Sequence, residues 1–387
     1  MRVLFTSTWG YGHVLPMVPL ARALRDAGHA VLWATNEPAC ALVTAAGVGV
    51  VPAGLDAAGV GAVQQRLRQE AGALRGQDRA AFAYPHMFGE WATPPMVADL
   101  LPLARQWGPD LVVSEQAELG GPLVAAVLGV PAVTHSYGGA VPAIHLAGAA
   151  ERLAGLWAAH GLGVTATAGT CSTIYLDLCP PSVQTQSLSH VAHRQPLRPL
   201  GYTGESTGPL PDLARADDPR PLVYLTLGTV QNSAAVLAAA AAGLADLEIR
   251  LLVSVGPDAD PGAVGPQPGN VAVERWISQS EVLPRCAAVV SHGGSGTFLA
   301  TLALGLPQVC LPQAADQFRN AIALTGTRTG VALPPGAATP EAVGAALRLV
   351  LVEPGFRAAA QQVAREIEGL PLPAEVVPGL AALAGRP

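Results

Sequence analysis

The chain has 387 residues, half of them hydrophobic and 13% charged, with a formal charge of -6. That length admits two or three domains, and that composition excludes a mainly disordered chain. All 22 basic residues are arginine and they form no run, which argues against a nucleic-acid partner and excludes a P-loop lysine and Schiff-base chemistry.

Met1 leads directly into RVLFTST (2–8), a predicted strand, without the charged and apolar regions of a signal peptide. A cytoplasmic location is therefore expected. The turn that follows, TWGYGH, carries Gly10 and Gly12, which permit close ligand approach, but no third glycine at the dinucleotide spacing. His13 stands there at the start of a helix predicted near Leu15–Ala27. Histidine titrates near neutrality without perturbation, so His13 reads either as a proton acceptor or as a residue closing the turn.

AVLWAT (30–35), a helix near Pro38–Ala46 and VGVV (48–51) continue the alternation. The stretch 53–95 lacks clear periodicity and gathers Phe82, Tyr84, Phe88 and Trp91. It reads as the wall of an apolar pocket or as local core. DLVVS (110–114) then delivers Glu115 ahead of a helix near Leu119–Leu128. A carboxylate on one imidazole nitrogen fixes the tautomer and stabilises the cation formed at the other; the plainer role is a charge favoured by the helix dipole. PAVTHS (131–136) ends in His135 and Ser136, with Tyr137 next, all within reach of the same cavity. The apolar stretch from Leu119 to Thr134 is broken by Gly129 and Pro131, too short and punctuated to span a bilayer.

The segment 196–220 is rich in Pro and Gly and has a linker composition. The expected division is a first domain over 1–200, a linker over 201–220, a second domain over 221–370 and a C-terminal helix over 371–387, for which the sequence leaves open whether it returns to the first domain. In the second half PLVYLTL (221–227), IRLLVS (249–254), NVAVE (270–274), AAVVS (287–291), PQVCLP (307–312) and TGVALP (329–334) read as strands, mostly separated by helices. Short apolar runs alternating with helices argue parallel sheets covered on both faces. The fold class is therefore α/β, two doubly wound Rossmann-like domains facing across a cleft.

The most informative turn is SHGGSGTFLATLALGLP, where a strand runs through glycines into an apolar helix. Crowded N–H groups and a helix N-terminus favour an anion, and His292, Ser295 and Thr297 add donors. It forms a phosphate cradle without lysine or metal. Asp316 and Gln317 suit sugar hydroxyls, and Trp276 offers a flat face to a base. Asp258-Ala259-Asp260 has a metal-binding spacing but lies in a Pro/Gly loop and reads as a turn. The five cysteines show no zinc or disulfide spacing and read as core residues.

Taken together, ERWISQSEVLPRCAAVVSHGGSGTFLATLALGLPQVCLPQAADQFRNA (274–321), VYLTLGT (223–229) and the opening 2–29 resemble the GT-B nucleotide-sugar glycosyltransferases of family 1. The likeness is greatest to bacterial enzymes that decorate macrolides, aromatic polyketides and enediynes. By that resemblance His13 is the catalytic base and Glu115 its partner. His292, Gly294, Ser295, Gly296 and Thr297 bind the donor diphosphate, with Gly228 and Thr229 facing them. Trp276 and Ile277 take the nucleobase, and Asp316 and Gln317 the donor sugar. The acceptor-binding residues are Phe82, Tyr84, Phe88, Trp91 and Tyr137.

Ala300 replaces the ribose-binding Glu of plant relatives, which favours a dTDP-sugar over a UDP-sugar. The implied reaction is inverting transfer of a (deoxy)sugar to a hydroxyl of a hydrophobic natural product. It needs no cofactor and no metal. The implied partners are the nucleotide sugar and the acceptor, with no nucleic acid or membrane and with a homodimer compatible. A GT-B-like sugar-nucleotide epimerase and a non-catalytic two-lobed binding protein are the alternatives.

Overall fold

A computed structural model of the chain describes residues 1–202, 209–215, 217–228, 233–257 and 259–385. It divides into two compact units. The first comprises 1–179, 186–198 and 370–387, and the second 180–185 and 199–369.

The first unit runs β1 (Arg2–Ser7), α1 (Tyr11–Val14), α2 (Val18–Asp26), β2 (Ala30–Thr35), α3 (Cys40–Ala45), β3 (Gly49–Pro52), α4 (Ala57–Ala71) and α5 (Gly76–Ala83). A π-helix, Tyr84–Ala92, joins α5 to α6 (Thr93–Trp107). Then come β4 (Leu111–Glu115), α7 (Gly120–Leu128), β5 (Ala132–His135), α8 (Ala143–Ala158), β6 (Ile174–Asp177) and β7 (Arg194–Pro196). The strands pair in parallel in the order β3-β2-β1-β4-β5-β6-β7. Leu4, Ala34 and Val112 from the sheet pack with Met96 and Leu100 of α6 and Val124 of α7. The C-terminal helix Pro373–Leu383 packs on α2 within this unit.

The second unit contains α9 (Asp212–Arg215), β8 (Leu222–Thr226), α10 (Ala234–Ala245), β9 (Arg250–Ser254), β10 (Val271–Glu274), α11 (Gln279–Val282), β11 (Ala288–Ser291) and α12 (Ser295–Ala303). It continues with β12 (Gln308–Cys310), α13 (Gln317–Gly326), β13 (Gly330–Ala332), α14 (Pro340–Val352) and α15 (Pro354–Glu368). The sheet order is β10-β9-β8-β11-β12-β13, again parallel throughout. Side chains alternate across a strand, and β8 shows the consequence. Val223 and Leu225 pack with Leu237 and Leu347, whereas Leu222 and Tyr224 pack with Ile277 and Val289. Both faces are buried, so these strands read as continuous apolar runs.

The aperiodic stretch 53–95 proves largely helical. Glycines in α4, prolines at 85, 94 and 95, and one π-helical segment blur the apolar period there. Strand β7 carries no comparable apolar signal: it is three residues long, polar, and sits at the sheet edge, whereas β6 is a short apolar run, IYLD, that sequence reasoning passed over. No described helix is long and apolar enough to cross a membrane.

Candidate active site

Ligands of open parallel sheets bind beyond the strands' carboxyl ends, where the strand order reverses. In the first unit that point lies between β1 and β4. His13 follows β1 and Glu115 ends β4, so the topology brings them together. His13 Nδ1 lies 3.0 Å from Glu115 Oε1. The carboxylate is fully buried and also accepts from the Thr8 hydroxyl (2.8 Å) and the Ala117 amide (2.6 Å). A carboxylate only accepts, so His13 Nδ1 carries the proton and the lone pair resides on Nε2.

Aromatic rings flank the imidazole. Tyr137 meets it edge-on with centroids 5.1 Å apart, and Phe88 lies at 5.6 Å. Trp9, which sequence reasoning passed over, lies 6.2 Å from Phe88. The π-helix accounts for the place of Phe88: its carbonyl accepts from the Thr93 hydroxyl at 2.7 Å, and Gly89 lets the segment close on Ala149 of α8. Tyr84 stands behind Phe88 and donates to the Gln116 carbonyl at 2.6 Å. Phe82 and Trp91 are not brought to the imidazole. Phe82 stacks on His86 at 4.1 Å, and the Arg66 guanidinium lies 4.3 Å over the Trp91 ring.

His135 and Ser136 are both fully buried, so of the three residues ending this strand Tyr137 is the one beside His13. Burial pushes the His135 pKa down to about 4. Its neutral ring donates from Nδ1 to the Ser136 carbonyl at 2.6 Å. Glu118, three residues beyond Glu115, is a second buried carboxyl. Sequence reasoning missed it because its burial and its bond to Thr6 of β1 arise only in the folded chain.

In the second unit the strand order reverses between β8 and β11. Gly228 follows β8 and His292 follows β11. Thr229 lies outside the described residues, as does Asp258. The His292 ring lies against this glycine loop, with its pKa lowered to about 4 by burial. A Cβ on Gly228 or on Gly294 would stand 2.6 or 2.5 Å from His292 Nε2, and one on Gly293 would strike Cys310 Sγ. Gly228 and Gly293 also have φ of +78°. The glycines thus accommodate the imidazole as well as any ligand.

Ser295 and Thr297 open α12. The Ser295 amide and hydroxyl donate to Asp316 Oδ2 at 3.1 and 2.5 Å. Asn320, one turn along α13 from Asp316, donates to the Gly293 carbonyl at 2.8 Å and to Ser295 Oγ at 3.0 Å. Gln279 Nε2 donates to Thr297 Oγ1 at 3.1 Å. Asn320 and Gln279 both lie in the motif stretch, but only the folded chain reveals these bonds. Gln317 points its amide oxygen at the Gln313 and Ala314 amides, 2.7 and 2.9 Å away, and so orders its own loop. Trp276 is half-buried after β10, while the Ile277 side chain belongs to the core. Exposed Gly296 has open space where a Cβ would be.

Residues 22–228 match the N-terminal domain, and residues 236–383 the C-terminal domain, of the family described as erythromycin biosynthesis protein CIII-like. The L-demethylnoviosyl transferase of Streptomyces niveus is 36% identical, covering 99% of this chain and 98% of its own. The elloramycin glycosyltransferase ElmGT of Streptomyces olivaceus is 34% identical over 100% of this chain and 98% of its own. Among solved structures, the glycosyltransferase VinC in complex with dTDP superposes with a TM-score of 0.82 at 29% identity, and each chain is covered completely.

Proposed function

Because the chain belongs to the erythromycin CIII-like glycosyltransferases, bacterial family 1 enzymes of GT-B fold that act in antibiotic biosynthesis, we propose a specific reaction for it. It transfers a deoxysugar from a dTDP donor to a hydroxyl of an apolar natural product, with inversion and His13 as base. The observation that carries this reading is the 3.0 Å bond between His13 Nδ1 and the buried Glu115 carboxylate at the sheet's switch point.

The acceptor oxygen attacks the anomeric carbon while its proton passes to His13 Nε2. The bond from that carbon to the diphosphate oxygen breaks, and the electron pair leaves with dTDP. One displacement inverts the centre. Glu115 stabilises the imidazolium until solvent takes the proton. Donors around 292–297 and the α12 N-terminus stabilise the leaving diphosphate, so we assign the reaction no divalent ion. The aromatic group of Trp9, Phe88 and Tyr137 suits an apolar acceptor.

Ala300 supports dTDP over UDP. It offers no carboxylate to a ribose 2′-hydroxyl. Calorimetry is expected to show dTDP bound more tightly than UDP, and equal affinities would remove this preference.

His13→Ala tests the reading. Transfer to an aliphatic hydroxyl is expected to fall by ~10²–10⁴-fold, the usual worth of a general base, with dTDP affinity and resistance to chelator unchanged. Full activity in the variant would dismiss His13 as base, and a rate abolished by chelator would dismiss the metal-free assignment.

A further inference from the structure

The Glu118 carboxyl is buried, and its partners are neutral donors on two elements. The Thr6 hydroxyl of β1 reaches Oε2, the Gly120 amide reaches Oε1 at 2.7 Å and the Gly121 amide reaches Oε2 at 2.9 Å. Thr6 also lies 2.9 Å from Ser114 Oγ on β4, its register partner. A Cβ on Gly121 would strike Ser114 Oγ and stand 2.5 Å from Thr6 Oγ1; one on Gly120 would stand 2.8 Å from Glu118 Oε1. The double glycine is therefore fitted to this carboxyl. The Glu118 amide in turn donates to the Glu115 carbonyl at 3.0 Å, closing the turn that carries the dyad's carboxylate.

We propose that Glu118 is a positioning residue for the His13–Glu115 dyad, pinning the 115–121 turn to β1 and placing a second titratable carboxyl behind the first. The proposal rests on the reading of His13 as base. The Thr6 hydroxyl has one proton and two acceptors in range. With Glu118 ionised the chain runs from Ser114 to Thr6 to Glu118. With Glu118 protonated it runs the other way, so the clamp holds in both states.

Burial, opposed by the Thr6, Gly121 and Gly120 bonds and reinforced by Glu115, raises the Glu118 pKa to about 7. Glu115 faces it from the same turn, with His13 of α1 beyond. Thr6 and Ser114 face the cluster from the strands, and α6 presents Met96 and Val97 to Gly120. Above neutrality Glu118 is charged, and that charge favours the imidazolium. The acid limb of kcat then carries a contribution from the charge of Glu118 as well as from His13.

The test is the pH profile of kcat for Glu118→Gln and Thr6→Val, with dTDP affinity and Tm measured alongside. Glu118→Gln removes the charge and sets an amide NH₂ among N–H donors. It is expected to lower kcat about tenfold through misplacement of the dyad and to move the acid limb about half a pH unit toward acid, with dTDP affinity unchanged. Thr6→Val keeps the carboxyl but withdraws its hydroxyl donor, holds Glu118 neutral to higher pH, and is expected to move the limb the same way. It remains informative should Glu118→Gln fail to fold. A lowered Tm with the wild-type limb in every variant that folds overturns the proposal. An active His13→Ala overturns the reading beneath it instead.

Discussion

Asp316 illustrates how one side chain serves the fold and the site at once. Its Oδ2 holds the Ser295 amide and hydroxyl at the start of α12, the groups the proposal assigns to a diphosphate. A bound diphosphate would have to displace this carboxylate, leaving it available to sugar hydroxyls. Asp316→Ala is therefore expected to weaken dTDP-sugar binding, while free dTDP binds as well as before or better. Equal losses in the two calorimetric titrations would deny Asp316 its sugar role. The residues in this turn were legible because glycines, hydroxyls and histidine follow one strand in sequence. Asn320, Gln279 and Glu118 were not, because their meaning lies in partners that only the folded chain supplies.

At the scale of elements, apolar runs announced the strands bounding both switch points, since strands covered on both faces have little polar interruption. The helices between 57 and 107 were obscured. Gly59, Gly61, Pro94, Pro95 and Pro102 lie within them, and tertiary packing overrides their low propensity. The turn between β11 and α12 carries a sharper consequence. Gly294→Ala would drive a methyl into His292, whose ring sits where Gly228 also closes on it. The variant is expected to fold with dTDP affinity reduced about tenfold or more, since a strained turn misplaces several donors. Unaltered affinity would show that His292 and the glycine loop do not form the diphosphate site.

For the whole molecule, buried titratable groups set the response to acid. His135 and His292 have pKa values lowered by burial from 6.5 to about 4. The unfolded chain binds protons there that the folded chain refuses, so stability is lost as pH falls from about 6.5 to 4. Glu118 acts oppositely, its contribution being full below 4.5 and lost as pH rises through about 7. Two imidazoles outweigh one carboxyl. Tm is expected to drop between pH 6.5 and 4, and to drop less in His135→Gln than in wild type. A flat Tm across that window would contradict these buried neutral rings.

Proton removal is thus proposed for the first unit and diphosphate departure for the second. A crystal structure with bound dTDP tests this proposal most directly. Phosphate oxygens are expected on the amides and hydroxyls of 294–297, the base on Trp276, and the Asp316–Ser295 bonds broken. Those bonds intact, with dTDP bound elsewhere, would contradict it.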